Sequence, residues 1–229
     1  MTDYEYQAVI ISLKVALFAL VWLLPLGLIL AWILARTQFV GKSLLDSIIH
    51  LPLVMPPVVI GYLLLVTMGR QGIIGKWLYE QFGLVFSFSW KGAVIACVVV
   101  SLPLMVRSIR LSLENVDVKL EQAAQTLGAS NVKVFFTITL PLTIPGLITG
   151  AMLSFARSLG EFGATITFVS NIPGETQTIP LAMYSFIETP GAEAQAARLC
   201  VISIVIALGS LMTSEWISRR MTSRLGVTR

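Results

Sequence analysis

From Ala8 to Ala35 the sequence runs apolar for long enough to cross a lipid bilayer, interrupted by a single charge, Lys14. Hydrocarbon offers no partner for backbone N–H and C=O groups, so such a run must be helical, and about 20 residues suffice to span. The run is too long for the core of a secretory signal, and its acidic start, Asp3 and Glu5, is the wrong flank for one. It reads as a retained transmembrane helix, long enough to require tilt or an end outside the lipid.

Four further stretches meet the same test: roughly 48–68, 92–106, 141–168 and 199–216. The stretch 141–168, the fourth span of five, is interrupted by Arg157 and Glu161. Only 12% of the 229 residues are charged, against about 25% in soluble domains. No polar stretch is long enough for a separate soluble domain, so residues 1–229 are expected to form one all-α transmembrane unit. Cys97 and Cys200 both lie in apolar runs and read as small buried hydrophobes, not a disulfide pair.

Lysine and arginine placement predicts the orientation. With the amino terminus outside, five spans leave the carboxyl terminus in the cytoplasm. The cytoplasmic side then holds Arg36, Lys42, Arg107, Arg110, Lys119, Lys133, Arg219, Arg220, Arg224 and Arg229. The outer side holds Arg70, Lys76, Lys91 and Arg198. The opposite orientation would break the rule at nearly every loop. Trp77, Trp90 and Trp216 flank spans as interfacial anchors.

Pro25, Pro52, Pro56, Pro57, Pro103 and Pro145 fall inside the spans, where each removes a helical hydrogen bond. They read either as packing kinks or as bends shaping a gated pathway. Gly146 and Gly150 form a small-xxx-small pair suited to close helix contact.

The cytoplasmic loop of about 107–140 is the most informative segment. Leu113, Val116, Leu120, Ala123, Ala124 and Leu127 recur at helical spacing, with Glu114, Asp117, Lys119 and Glu121 on the other face and Gly128 as a stop. An acidic polar face suits an anionic membrane surface poorly, so a helix docking a cytoplasmic partner is the better account.

The series Gln122-Ala123-Ala124, Gly128 and Ile138-Thr139-Leu140-Pro141 resembles the EAA loop of ABC importer permeases. That resemblance implies the architecture of a type I importer permease. It also implies that the loop's short helix, with Glu121, Gln122, Ala123, Ala124, Gly128, Ile138, Leu140 and Pro141, couples to a separate ATP-binding subunit. The family's glutamate position is Gln122 here, preceded by Glu121. No cofactor is expected on this chain. Neither Gly41-Lys42-Ser43 nor Gly75-Lys76 completes a phosphate-binding loop, since Arg36 and Arg70 stand where the first glycine belongs. The chain is thus not expected to be an enzyme, and ATP and Mg belong to the partner. The resemblance further implies an external substrate-binding protein and a second permease copy, in a bacterial-type cytoplasmic membrane, with no nucleic acid.

Residues 51–62, 117–129 and 171–176 resemble the molybdate permeases, and residues 155–164 also the sulfate and tungstate ones. Molybdate is therefore the expected cargo, with sulfate or tungstate the alternatives. The embedded charges are Lys14, Arg157 and Glu161. Arg157 and Glu161, four apart, either neutralise each other or offer Arg157 to an anion on the pathway. The outer surfaces open to a binding protein are residues 69–90 and 171–196, the latter turn-rich with a short helix near 181–187. His50 stands alone, so no metal or acid–base site is expected there. An ATP-independent secondary transporter is the rival class; it would need embedded acids or internal repeats, and only Glu161 answers. An inert membrane anchor for a cytoplasmic complex would explain the docking loop but not the proline-rich spans.

Overall fold

The computed structural model describes residues 2–224, leaving aside the side chains of 214, 215, 217–219 and 221–224. Arg229 therefore lies outside the described residues, as do the side chains of Arg219 and Arg224. Every regular element among the described residues is helical.

Helix α1 (Asp3–Arg36) is closed at its start by a capping box, in which Thr2 and Glu5 satisfy each other's backbone N–H. α2 (Lys42–Val54) and α3 (Pro57–Met68) follow, then the short α4 (Ile73–Phe82). α5 (Trp90–Glu114) leads to α6 (Val118–Thr126) and to one turn, α7 (Asn131–Val134). A π-helical turn over Phe135–Thr139 runs straight into α8 (Leu140–Leu159). Pro141 has no N–H for the carbonyl of Thr137, and there the ladder widens, with the Leu140 N–H bonded to the Phe135 carbonyl. α9 (Gly163–Val169), α10 (Ile179–Glu188) and α11 (Glu193–Arg224) complete the chain.

Four helical stretches are long and apolar enough to cross a membrane: α1, α5, Asn131–Leu159 and α11. The expected second span differs from a simple crossing. It is a pair, α2 and α3, bent by 115° at Met55-Pro56, and it makes a fifth span only when the pair is counted as one. Pro56 lacks an N–H and biases Met55 toward extended angles, which ends α2. The expected fourth span also departs from a single helix. It stops at Leu159, and Gly160-Glu161-Phe162 separates it from α9.

α5 is the central post. Ala96, Cys97, Val100, Met105, Val106, Ile109 and Leu113 are all fully buried along it. α8 lies against it closely enough that a methyl group on Gly146 would collide with Ser112, and one on Gly150 would meet Met105 Sδ at 2.9 Å. α1 closes on the same post, Gly27 lying against Met105. The small-xxx-small pair is thus a packing seam. α3 and α9 pack equally tightly, Gly61 against Ala164 and Gly163 against Pro57.

The helix lengths match a bilayer. From Lys14 to Arg36, α1 rises about 33 Å at ~1.5 Å per residue, near the ~30 Å hydrocarbon thickness. From Trp90 to Arg110, α5 rises about 30 Å. Lys14 sits over the Trp90 ring at 3.6 Å, so both helices meet one boundary at the same level. Lys14 is therefore a boundary residue rather than an embedded charge. The first turns of α1 extend beyond it as the anticipated outlying end. There Ala8 packs with Ile179, Ala182 and Leu199, and Ser12 Oγ accepts the Ile179 N–H at 2.7 Å. The end bearing Arg36 and Arg110 is called the basic end below, and the other the far end.

Candidate functional site: the α6 platform and the break after α8

The periodic run from Leu113 to Leu127 is not one helix. α5 ends at Glu114, and Asp117 caps a new helix by accepting the Lys119 N–H at 2.9 Å. An aspartate side chain that satisfies an orphan N–H favours a helix start over continuation. The result divides the apolar face. Leu113 and Val116 are buried with α5, whereas Leu120 is half exposed and Leu127 is 89% exposed.

Glu121 is the residue by which α6 holds on to this chain. Glu121 Oε1 accepts from Arg36 Nη2 at 2.9 Å and from Thr139 Oγ1 at 2.7 Å. One carboxylate thus ties α6 to the end of α1 and to the π-helical turn before α8. Glu114 instead folds back on Arg110 at 2.8 Å. α6 contains no buried residue, and Val118, Leu120 and Leu127 face outward from it. Glu121 and Ala124 are its half-buried residues, so α6 lies on the protein with Leu120, Ala123 and Leu127 left open beside Lys119, Gln122 and Gln125.

Gln122 and Ala123 lie on the exposed side, and Ala124 is half-buried. Gly128 follows with φ +89°, a left-handed angle that glycine adopts freely, and open space surrounds it. Ile138, Leu140 and Pro141 are half-buried in the turn and first residues of α8, next to the Thr139 anchor. The structure thus brings Glu121 and the 138–141 segment together through Thr139. It leaves Gln122, Ala123 and Gly128 outside that contact. Sequence reasoning missed Arg36 and Thr139 as partners, because neither residue's local pattern announces a contact 85 or 18 residues away.

A second cluster flanks the basic end. Asp46 on α2 binds Arg110 at 3.0 Å and His50 Nδ1 at 3.1 Å, latching α2 to α5. His50 belongs to this latch. No group of three or more His, Cys, Asp or Glu side chains among the described residues could hold a metal ion.

Arg157 and Glu161 do meet, Nη1 to Oε2 at 2.6 Å. They are not on one helix, however: Glu161 stands in the break. Its Oε1 accepts the Ala164 N–H at 2.7 Å, so the side chain closes α9 as well as pairing Arg157. The Glu161 side chain is 1% exposed and that of Arg157 30%. Beside them a polar seam joins α5 to α8: Ser101 Oγ lies 3.2 Å from Ser158 Oγ, and Ser154 Oγ donates to the Ser101 carbonyl at 3.4 Å. Buried hydroxyls and a buried ion pair here have all found partners, which rigidifies the junction where α8 gives way to α9.

Known proteins match this architecture closely. The sequence is 68% identical over 222 residues to the molybdenum transport system permease protein ModB of Haemophilus influenzae, covering 97% of each chain. It is 66% identical to the protein of the same name from Escherichia coli, over 99% of both. Among solved structures, the fold matches a bacterial ABC transporter involved in import of the acidic polysaccharide alginate, with TM-score 0.78 and 17% identity. That match covers 97% of this chain and 81% of the other. It also matches the inward-facing MetNI methionine ABC transporter, with TM-score 0.69 and 14% identity, over 97% and 100% of the two chains. The pattern of the binding-protein-dependent transport system inner membrane component family spans residues 24–223, and this chain is a member of that family of multi-pass inner-membrane permeases.

Proposed function

We propose that this chain is the membrane-spanning permease subunit of an ATP-driven molybdate importer. Identity of 66–68% to permeases of molybdenum transport, over nearly the full length of both chains, carries the cargo.

The chemistry is mechanical rather than catalytic. Hydrolysis of ATP, with Mg, belongs to a separate cytoplasmic subunit seated on α6. The outward apolar side of that helix supports the reading, because Leu120, Ala123 and Leu127 offer a partner a compact apolar surface. Movement of α6 passes through Glu121 to Arg36 and Thr139, and so to α1 and α8 together. At the other end of α8, about 30 Å away, lies the Arg157–Glu161 junction. There Arg157 attracts the anion, and Glu161 holds the Arg157 guanidinium in place. The basic end faces the cytoplasm by the positive-inside rule, which puts the amino terminus outside. The far-end segments, with α4 and α10, face an external binding protein. A second copy of the chain completes the pathway.

The test is reconstitution of this chain with its ATPase in proteoliposomes, adding external binding protein loaded with molybdate, tungstate or sulfate. Stimulated ATP hydrolysis and uptake with molybdate, and little with sulfate, is the expected result. Uptake persisting without the ATPase would overturn the reading.

A further inference from the structure

Toward the far end, a groove of about 430 Å³ runs along the seam of α1 and α5, walled by Phe18, Trp22, Leu26, Trp90, Ile95 and Val98. The walls are apolar and aromatic, and the one charge on the lining is Lys91. Lys14 stands beside it, its Nζ over the Trp90 ring. No ion pair engages either lysine among the described residues. Glu175 stands at the same rim, its Oε1 accepting the Trp90 N–H at 3.5 Å. The rim is therefore positive by one charge.

Three features of this groove fit together. Its cations lie at one end only, at the level where both helices meet the membrane boundary. Its walls descend from Phe18 to Leu26, about 12 Å of helix, against about 15 Å for the hydrocarbon of one leaflet. An aromatic ring under the ammonium holds Lys14 at the rim rather than letting it extend away. A groove that is cationic at the headgroup level, and apolar for one leaflet's depth below it, is complementary to one kind of molecule.

We infer that this groove binds an anionic phospholipid of the leaflet at the far end. One acyl chain lies between Trp22 and Ile95, and the phosphate rests on Lys14 and Lys91. A second protein helix would bury the aromatic walls equally well, but it would leave both ammonium groups unmatched. The site is separate from the α6 platform and from the Arg157–Glu161 junction. It acts on the α1–α5 contact, the same packing through which motion of Arg36 would travel.

The native tryptophans provide the probe. The full chain is reconstituted in phosphatidylcholine bilayers containing increasing amounts of acyl-brominated phosphatidylglycerol or acyl-brominated phosphatidylcholine, and Trp fluorescence is followed. Subtracting the Trp22→Phe signal isolates the groove. An unmatched lysine at an anionic surface changes binding about fivefold, so half-quenching of Trp22 is expected at about fivefold less phosphatidylglycerol than phosphatidylcholine. Lys91→Gln and Lys14→Gln should each bring the two curves together, and Lys91→Arg should keep them apart. The last variant separates charge from any effect on folding. Equal quenching by both lipids in the unmodified chain would overturn the inference, leaving ordinary lipid contact. Absence of quenching by either would overturn it too, because the face would then be covered by protein.

Discussion

Glu121 and Arg36 stand 2.9 Å apart across 85 residues of sequence, and through this contact α6 is tied to α1, the longest helix among the described residues. Both side chains are mostly buried, 15% and 17% exposed, so the pair is poorly screened by solvent. The same oxygen also holds Thr139.

Glu121→Ala removes both bonds and leaves Arg36 without its carboxylate. A charge-assisted hydrogen bond contributes about 1.5–3 kcal/mol, so α6 should loosen while the spans stay folded. Uptake in the reconstituted transporter is expected to fall at least tenfold, with ATP hydrolysis less affected. Retained transport at the native rate would show that α6 needs no such anchor.

Gly128→Trp tests the platform from its other end. At φ +89° a side chain costs about 1–2 kcal/mol, yet a Cβ there has nothing within 4 Å, and the flanking residues are exposed. Membrane insertion and yield should be unchanged, and association with the ATPase, read by co-purification, should be lost. Normal uptake in this variant would sink the coupling role of the loop.

Gly146→Val addresses packing alone. A Cβ there collides with Ser112 and approaches the Ser108 carbonyl at 2.8 Å, backbone that cannot swing aside. Overpacking of this kind costs about 1–3 kcal/mol, so the midpoint of thermal unfolding in detergent should drop by several degrees. Gly209→Val, with open space around its Cβ position, should leave that midpoint in place.

Glu161→Gln and Glu161→Ala separate the two duties of one side chain. Gln keeps an acceptor for the Ala164 N–H but gives up the charge facing Arg157; Ala gives up both. Breaking a buried pair costs about 3–5 kcal/mol, with the lower end expected because Arg157 retains some water. The order of stability should be native, Gln, Ala. A Gln variant as unstable as Ala would mean that the helix-closing bond contributes little.

Much of this architecture could be read from the sequence because lipid imposes its own rule. Apolar length alone locates α1, α5, α8 and α11. The bend at Pro56 and the close contact at Gly146 and Gly150 follow from what proline lacks and what glycine omits. The break after Leu159 was hidden, because the apolar residues resume at once in Ala164 and Ile166 and conceal the turn made by Gly160-Glu161-Phe162. Periodicity through Leu113–Leu127 likewise concealed the cap at Asp117. The ties of Glu121 to Arg36, of Asp46 to Arg110 and of Glu5 to Arg198 join residues far apart in sequence, at 2.7–3.0 Å. No local pattern encodes them. At α6 the residues were legible but their facing was not, since one carboxylate, Glu121, sets which side lies on the protein.

The bareness of α6 has a consequence for how such a chain is made. A copy produced in excess of its partner holds Leu120 and Leu127 bare in water, beside a helix with no buried residue of its own to keep it folded. Exposed apolar surface on a marginal element is what chaperones and proteases act upon. A partner seated on α6 would cover that surface, so an unpartnered copy should be cleared faster than an assembled one.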